Sequence, residues 1–509
     1  MQNKIVFSLL IFLVFVLNAQ VNDIPVTRNL MPDEHPVESY EDYISNLVQV
    51  ETSYQEVINR TGRERGSWLA FVESSLYDSL ETELAVWNFD LEQEGYNLIL
   101  IEWAGTSAEA LKYVIINYYN FYDISGVFLL GNLPVAWFEL WEDWNGDNVQ
   151  GPGEEWVEFP MDQYFADLDG VWGDLLGGPW DDPDRNGIYD QHEGELEAEI
   201  AISRLRADNL SYAGDEVEIL RDWFERNNLY RNGVLEDSDQ ALGYIDDDWA
   251  YWASEYQAAL EQCYTDVEMV SEVNSTTAND FRENRWSGTY EWIQVHVHSG
   301  PDAHYFYQNN GSNYFLVHNN EIAPYNPDAL FYNLFCCSNA RFTQANSMGS
   351  LYVLGNEHGL ASIGSTKTGS MLQFENFYGP LGNGEEMGEA LRQWWNDTMV
   401  QYESTEYRQC YRSWFYGMAL MGDPTLVTEY EPVSAQGDVD YNGQIEAFDA
   451  SLVMRYCVGY EPGISAPLPW GAARRYFADV DGTEELTSYD AALILQYFVG
   501  VITEFPVNE

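Results

Sequence analysis

The chain is 509 residues long, 46% hydrophobic, with a formal net charge of −62 and five cysteines. The length supports roughly two to four domains and a large core. So much acid argues against nucleic acid or an anionic membrane as partner. So few cysteines, odd in number, exclude a fold held by disulfides.

Residues 1–20 read as a secretory signal: Lys4 supplies the positive start, Ile5–Leu17 the apolar run and Ala19 a small residue before the cut. The run is short for a membrane span, and no later run is long enough to cross a bilayer. The expectation is a soluble, exported protein. Residues 21–66 are polar and acidic, either a propeptide or an N-terminal cap. From Ser67 a strand–helix alternation begins: Trp68–Val72, a helix over Ser74–Gln93, Asn97–Ile101, a helix over Ser107–Phe121, then Gly126–Leu130. The rhythm resumes with Ala241–Ile245, a helix over Ala253–Cys263, Val267–Val270 and a helix over Asp280–Arg285. It continues with strands Trp292–Val297 and Ala329–Phe335, a helix near Ser347–Asn356, the strand Ala361–Ile363 and a helix over Glu385–Asp397. Apolar runs separated by helical patterns predict βαβ units. The fold class is α/β: two adjoining parallel-sheet subdomains, residues 67–205 and 206–426.

An acidic, glycine-rich insertion, Trp141–Gly194, interrupts the first half. Within it Asp182, Asp184, Asn186, Ile188, Asp190 and Glu193 occupy the ligand positions of a twelve-residue calcium loop, with Gly187 at position six. Alternating oxygen ligands, a glycine at the sharp turn and a final carboxylate suit a hard cation. A looser copy is Asp143, Asn145, Asp147 and Glu154. A linker, residues 427–437, leads to an internal duplication in residues 438–509: GDVDYNGQIEAFDASLVMRYCVG, then ADVDGTEELTSYDAALILQYFVG. The first loop offers Asp438, Asp440, Asn442, Gln444 through its carbonyl, and Asp449. The second offers Asp479, Asp481, Thr483, Glu485 through its carbonyl, and Asp490. This pair of acidic loops, each feeding an apolar helix, resembles a type I dockerin. The resemblance implies a small all-α module that folds on Ca2+ and docks onto a cohesin-type scaffold protein. The second loop departs from the pattern at Thr483 and Glu484.

The chemistry gathers at two strand ends. His298-Ser299-Gly300 follows one strand and Cys336-Cys337-Ser338-Asn339 the other. The C-terminal edge of a parallel sheet is where ligands collect. A thiol and an imidazole delivered there make a nucleophile–base pair, with Gly300 and the nucleophile's own amide as oxyanion donors. The chain resembles the gingipain-like, caspase-fold cysteine peptidases through DQYFADLDG (Asp162–Gly170), EIAISRL (Glu199–Leu205), the strand-end His-Ser-Gly, CSNARF (Cys337–Phe342), ASIGST (Ala361–Thr366) and MGDPTL (Met421–Leu426). That likeness implies an endopeptidase acting on protein or peptide substrates, with His298 as base and Cys337 as nucleophile. It also implies an orienting acid after Ala241–Ile245, where Asp248 is the register match. Ser299 stands where the family has glycine, and Ala340-Arg341 where it has Gly-Asp. Strand alternation turns Cys336 toward the core, and His358-Gly359, which follows the cysteine, reads as structural. The acidic turn Asp246–Asp248 suggests a basic residue at the cut bond. Two rival readings remain. One is zinc held by His296, His298, His304 and Asp302. The other is a non-catalytic, calcium-stabilised adhesion or assembly protein on the same fold.

Overall fold

The computed structural model describes residues 37–508 except 60–61, 63–64, 150, 152, 175–185, 236–237, 309–312 and 461–469. One eleven-stranded sheet runs through the body. In spatial order its strands are β1 (Ser53–Asn59), β3 (Asn97–Ala104), β2 (Ser67–Glu73), β4 (Ile124–Leu130), β9 (Ala201–Leu205), β18 (Met418–Gly422), β17 (Ala361–Ser365), β16 (Phe331–Phe335), β12 (Trp292–His296), β10 (Gln240–Ile245) and β11 (Asp266–Val270). Strands β3 to β18 run one way and β17 to β11 the other, meeting at an antiparallel β17/β18 seam. The two halves expected from the alternation therefore share one sheet. The strand that joins them, β18, reads in the sequence only as part of a motif.

The central strands are apolar throughout because both faces are covered. Along β2, Leu69 and Phe71 enter one core layer, while Trp68, Ala70 and Val72 enter the other. Helices Glu81–Gln93, Glu216–Arg231 and Met348–Leu354 cover one face. Helices Ala108–Tyr122, Ala253–Leu260 and Met387–Glu403 cover the other. The insertion after β4 carries two hairpins, β5 (Trp137–Trp141) with β6 (Trp156–Pro160) and β7 (Val171–Gly173) with β8 (Gln191–Glu193). A third small sheet, β13 (His298–Ser299), β14 (Ala303–Gln308) and β15 (Asn313–His318), follows β12.

The described part of the N-terminal segment caps the body. Tyr40 and Tyr43, on the helix Tyr40–Asn46, pack on Trp137, and β1 closes the sheet edge antiparallel to β3. The stretch 427–437 is irregular but packed: Tyr430 lies against Tyr230 and Arg231, and the Val433 amide donates to the Asn232 carbonyl. Beyond it, helices Ala447–Cys457, Ala472–Ala478 and Ser488–Phe498 form a separate apolar cluster around Val453, Ala478 and Ile494. The middle helix sits on the body: the Ala473 amide donates to Asn228, and the Arg474 guanidinium lies over Phe89 and Tyr441. Among the described residues no helix is long and apolar enough to cross a membrane.

Several motifs that carry the family resemblance are scaffolding. Arg204 of β9 is buried against Asp162 at 2.7 Å. Asp423, just past β18, takes hydrogen bonds from Arg231, Trp87 and Asn227. Gly364 is needed because a Cβ there would stand 2.7 Å from Asn339 Oδ1.

Candidate active site

Three neighbouring strands bring the site together. In the parallel ladder Ile245 lies opposite His296, and His296 opposite Phe335. Two residues past that rung stand His298 and Cys337; three past it stands Asp248. Adjacent strands are about 4.8 Å apart, so residues far apart in sequence become neighbours across two rungs. His298 Nε2 meets Asp248 Oδ2 at 2.7 Å. The imidazole is held by Trp249 at 4.5 Å and by the edge of Tyr307 at 5.2 Å, ring centre to ring centre. Its other nitrogen, Nδ1, is buried with no hydrogen-bond partner among the described residues. That leaves Nδ1 as the nitrogen able to exchange a proton with a thiol, while Asp248 holds the opposite tautomer.

Cys337 is 0% exposed and His298 1%, so the pair is enclosed. Ser299 Oγ donates to the Cys337 carbonyl at 2.6 Å, tying the histidine strand end to the cysteine turn. Ser338 adopts φ +56, which turns the chain sharply just after the nucleophile. Cys336 faces the opposite core layer, its sulfur 3.7 Å from the Val295 carbonyl, and burial drives its thiol well above the ordinary value.

The amide of Gly300, the expected oxyanion donor, is engaged within the fold. It donates to the Ala303 carbonyl at 3.1 Å, closing the turn that joins β13 to β14. Hydrogen-bonded pairs alternate along an antiparallel ladder. The next pair out, Ser299 opposite His304, is therefore the open one. In such a pair the Ser299 amide points away from β14.

The acidic turn splits into three separate tasks. Asp246 is buried, accepts from the Tyr307 amide and from Thr276 Oγ1 at 2.9 Å each, and is pushed up to about 7 by that burial. Asp247 accepts from the Asn274 amide at 2.8 Å. Asp248 holds the histidine. Each of the three is hydrogen-bonded within the fold, and of them Asp248 is the exposed one. The link from Asp246 to Tyr307 and so to His298 is invisible in sequence, since Tyr307 lies on a hairpin that only the fold brings back.

The zinc arrangement is not formed. His296 is stacked between Tyr256 and Phe335, and burial alone holds it neutral. His304 points to the other layer, its Nε2 3.1 Å from the Tyr352 hydroxyl. His358 lies at the surface, 3.5 Å from Asp328.

The acidic loops can be compared by backbone. In the C-terminal module Asp438, Asp440 and Asp449 present oxygens within 4.8 Å of one another, as do Asp479, Asp481 and Asp490. Both loops turn left-handed at positions four and six: Tyr441 (φ +62) and Gly443 (+81), then Gly482 (+70) and Glu484 (+64). The Gln444 amide donates to Asn442 Oδ1, and Thr483 Oγ1 lies against Asp481 and the Glu485 carbonyl. The looser copy has the same signature, with Gly146 at φ +72, Asn148 at +56 and the Trp144 amide on Glu154. Of the strict match in the insertion, Asp182 and Asp184 lie outside the described residues. Its Gly187 has φ +94 and the Ile188 amide donates to Asn186 Oδ1, as such a loop requires. Asp190 and Glu193, however, run into β8, and Glu193 is exposed opposite Val171 instead of opening a helix. What meets Asn186 instead is Glu139 of β5, at 3.3 Å. A further acidic group escaped the sequence reading: Asp167, Asp169 and Glu199 also converge within 4.8 Å.

Residues 86–429 match the sequence model of Peptidase family C25. No curated protein matches the chain. Two solved structures from Acetivibrio cellulolyticus, each the third cohesin of ScaC in complex with a ScaB dockerin mutated in one helix, show local likeness. One is 35% identical over 14% of this chain and 94% of that chain. The other is 37% identical over 15% and 96%, and the TM-score is 0.13 for both. At that TM-score neither bears on this chain's architecture or partners.

Proposed function

The chain belongs to peptidase family C25, a family of cysteine peptidases, and from that premise we propose that it is a secreted endopeptidase working through Cys337 and His298. His298 Nδ1 takes the thiol proton, and the thiolate attacks the peptide carbonyl. The amides of Cys337 and Ser299 receive the oxyanion. The imidazolium, steadied by Asp248 on Nε2, protonates the leaving amine. Water then releases the acyl group by the same route in reverse. The observation that carries the reading is the 2.7 Å Asp248–His298 contact at the strand end beside Cys337.

The C-terminal module supports a second part of the reading. Its carboxylates fit a hard oxygen-seeking cation: they converge, and backbone amides already fix their orientation. Asp438, Asp440, Asn442, Gln444 and Asp449 would hold one Ca2+, and Asp479, Asp481, Thr483, Glu485 and Asp490 another. Ca2+ would neutralise carboxylates that otherwise repel, and so hold the module folded. In this reading the module attaches the exported enzyme to a cohesin-type scaffold, at the cell surface or beyond it.

The enclosure of Cys337 favours the non-catalytic assembly protein as second reading. One experiment separates the two: digestion of a mixed peptide library with calcium and a reducing agent, beside Cys337→Ala. Cleavage lost in the variant supports the peptidase and supplies its specificity. Cleavage that persists in the variant refutes Cys337 as nucleophile. A folded wild type without cleavage refutes turnover and leaves the assembly protein.

A further inference from the structure

Lys367 is 2% exposed, deep behind the nucleophile. It leaves the C-terminal end of β17, the strand beside β16, as Cys337 leaves β16. The two exits are joined by backbone: the Ser338 amide donates to the Lys367 carbonyl at 2.9 Å and the Ala340 amide to the Ser365 carbonyl at 3.0 Å. The ammonium donates to the carbonyls of Thr368 and Ser413. It lies 5.3 Å from the Trp144 ring centre and 5.5 Å from that of Phe159.

A buried lysine needs an anion. The nearest carboxylate, Glu142 of the insertion, stands off at 3.7 Å, and its Oε1 has no hydrogen-bond partner. The close hydrogen bonds of the ammonium thus go to neutral carbonyls, with Glu142 as its counter-ion at 3.7 Å. Burial lowers the lysine and raises the glutamate, and their mutual attraction opposes both shifts. The second anion within electrostatic reach of Lys367 is the Cys337 thiolate. The Ser338–Lys367 backbone bond sets the lysine directly beside the turn that carries the thiol, on the β17 side of β16.

We propose that Lys367 is a positioning residue of the active site, whose buried ammonium favours the thiolate of Cys337 from the side opposite His298. The proposal rests on Cys337 as nucleophile. The charged and titratable groups around that thiol are then Lys367 with Glu142 from the β17 side, His298 with Asp248 from β12 and β10, neutral His296 on the same face, and Cys336 on the other face of its own strand. A cation a few ångströms from a cysteine lowers its pKa. A cation supplied by lysine persists when His298 is neutral.

The test reads the thiolate itself, by ultraviolet absorbance against pH, each protein referenced to its own Cys337→Ser form. The variants are the double change Lys367→Met with Glu142→Gln, which leaves no lone buried charge, and Lys367→Gln, whose amide can still donate to the Thr368 or Ser413 carbonyl. Lys367→Arg is the conservative control. The thiolate midpoint is expected to rise by about one pH unit in either neutral variant, and to stay near the wild-type value in the arginine variant. The acid limb of kcat/KM should move by the same amount. An unchanged midpoint in either folded neutral variant overturns the proposal and leaves the lysine a structural ion-pair partner. A shifted midpoint in a protein that cleaves nothing would defeat the peptidase reading while the electrostatic one stood.

Discussion

Replacing Asp248 by alanine tests how the histidine is held. Asp248 accepts one hydrogen bond from His298 at 2.7 Å, and its side chain is 45% exposed while the imidazole is 1% exposed. A charged hydrogen bond contributes about 1.5–3 kcal/mol when protected. The half-exposed carboxylate faces solvent screening, so the low end applies, about 1–2 kcal/mol. The contact is stronger to imidazolium than to imidazole, so nearly all of it falls on the transition state. The expected result is a fall in kcat/KM of roughly 5- to 30-fold, with KM nearly unchanged, since each 1.36 kcal/mol is tenfold. Unfolding in urea should change by about 0.5 kcal/mol or less, because Trp249 and Tyr307 still pack the ring. Steady-state kinetics on a peptide substrate, with parallel urea melts, give both numbers. A loss of a thousandfold or more would show that Asp248 does more than orient; a loss under twofold would show that packing alone fixes the tautomer.

Three other outcomes are expected. Arg231→Met strands the fully buried Asp423, which Arg231 meets at 2.7 Å, and should cost about 3–5 kcal/mol of unfolding free energy in urea; a cost under 1 kcal/mol would mean Trp87 and Asn227 satisfy the acid without it. Glu484→Gly relieves a left-handed backbone at φ +64 and should stabilise the module by about 1 kcal/mol in differential scanning calorimetry with calcium; no gain would place the advantage in the glutamate side chain. Asp90, pushed up to about 7 by burial, is protonated in the folded protein and ionised in the unfolded one between its ordinary 3.8 and 7. Its contribution is present below the unfolded value and is lost as pH rises through that window, at about 1 kcal/mol per pH unit. Urea melts from pH 4 to 7 should show that slope in the wild type relative to Asp90→Asn; parallel profiles would refute it.

What the sequence determined by itself was whatever depends on local period and spacing. Apolar runs such as Trp292–His296 and Phe331–Phe335 announce doubly covered strands, since burial on both faces removes the polar alternation. Alternation along a strand also separates Cys337 from Cys336 before any fold is known. The duplicated loops 438–449 and 479–490 were legible because position-specific oxygens recur, and both take the same left-handed turns even where Glu484 replaces glycine. What only the tertiary structure decided was whatever depends on register between distant strands. The Asp248–His298 contact joins residues 50 apart in sequence. Strand β18 unites the halves through a seam its own residues do not announce. Gly300 was a reasonable oxyanion donor by type, yet a hairpin hydrogen bond to the Ala303 carbonyl engages its amide. The reason is the same in each case: a side chain's identity is local, but its partner is set by which strand lies alongside, and that is fixed only when the whole sheet has closed on its two core layers.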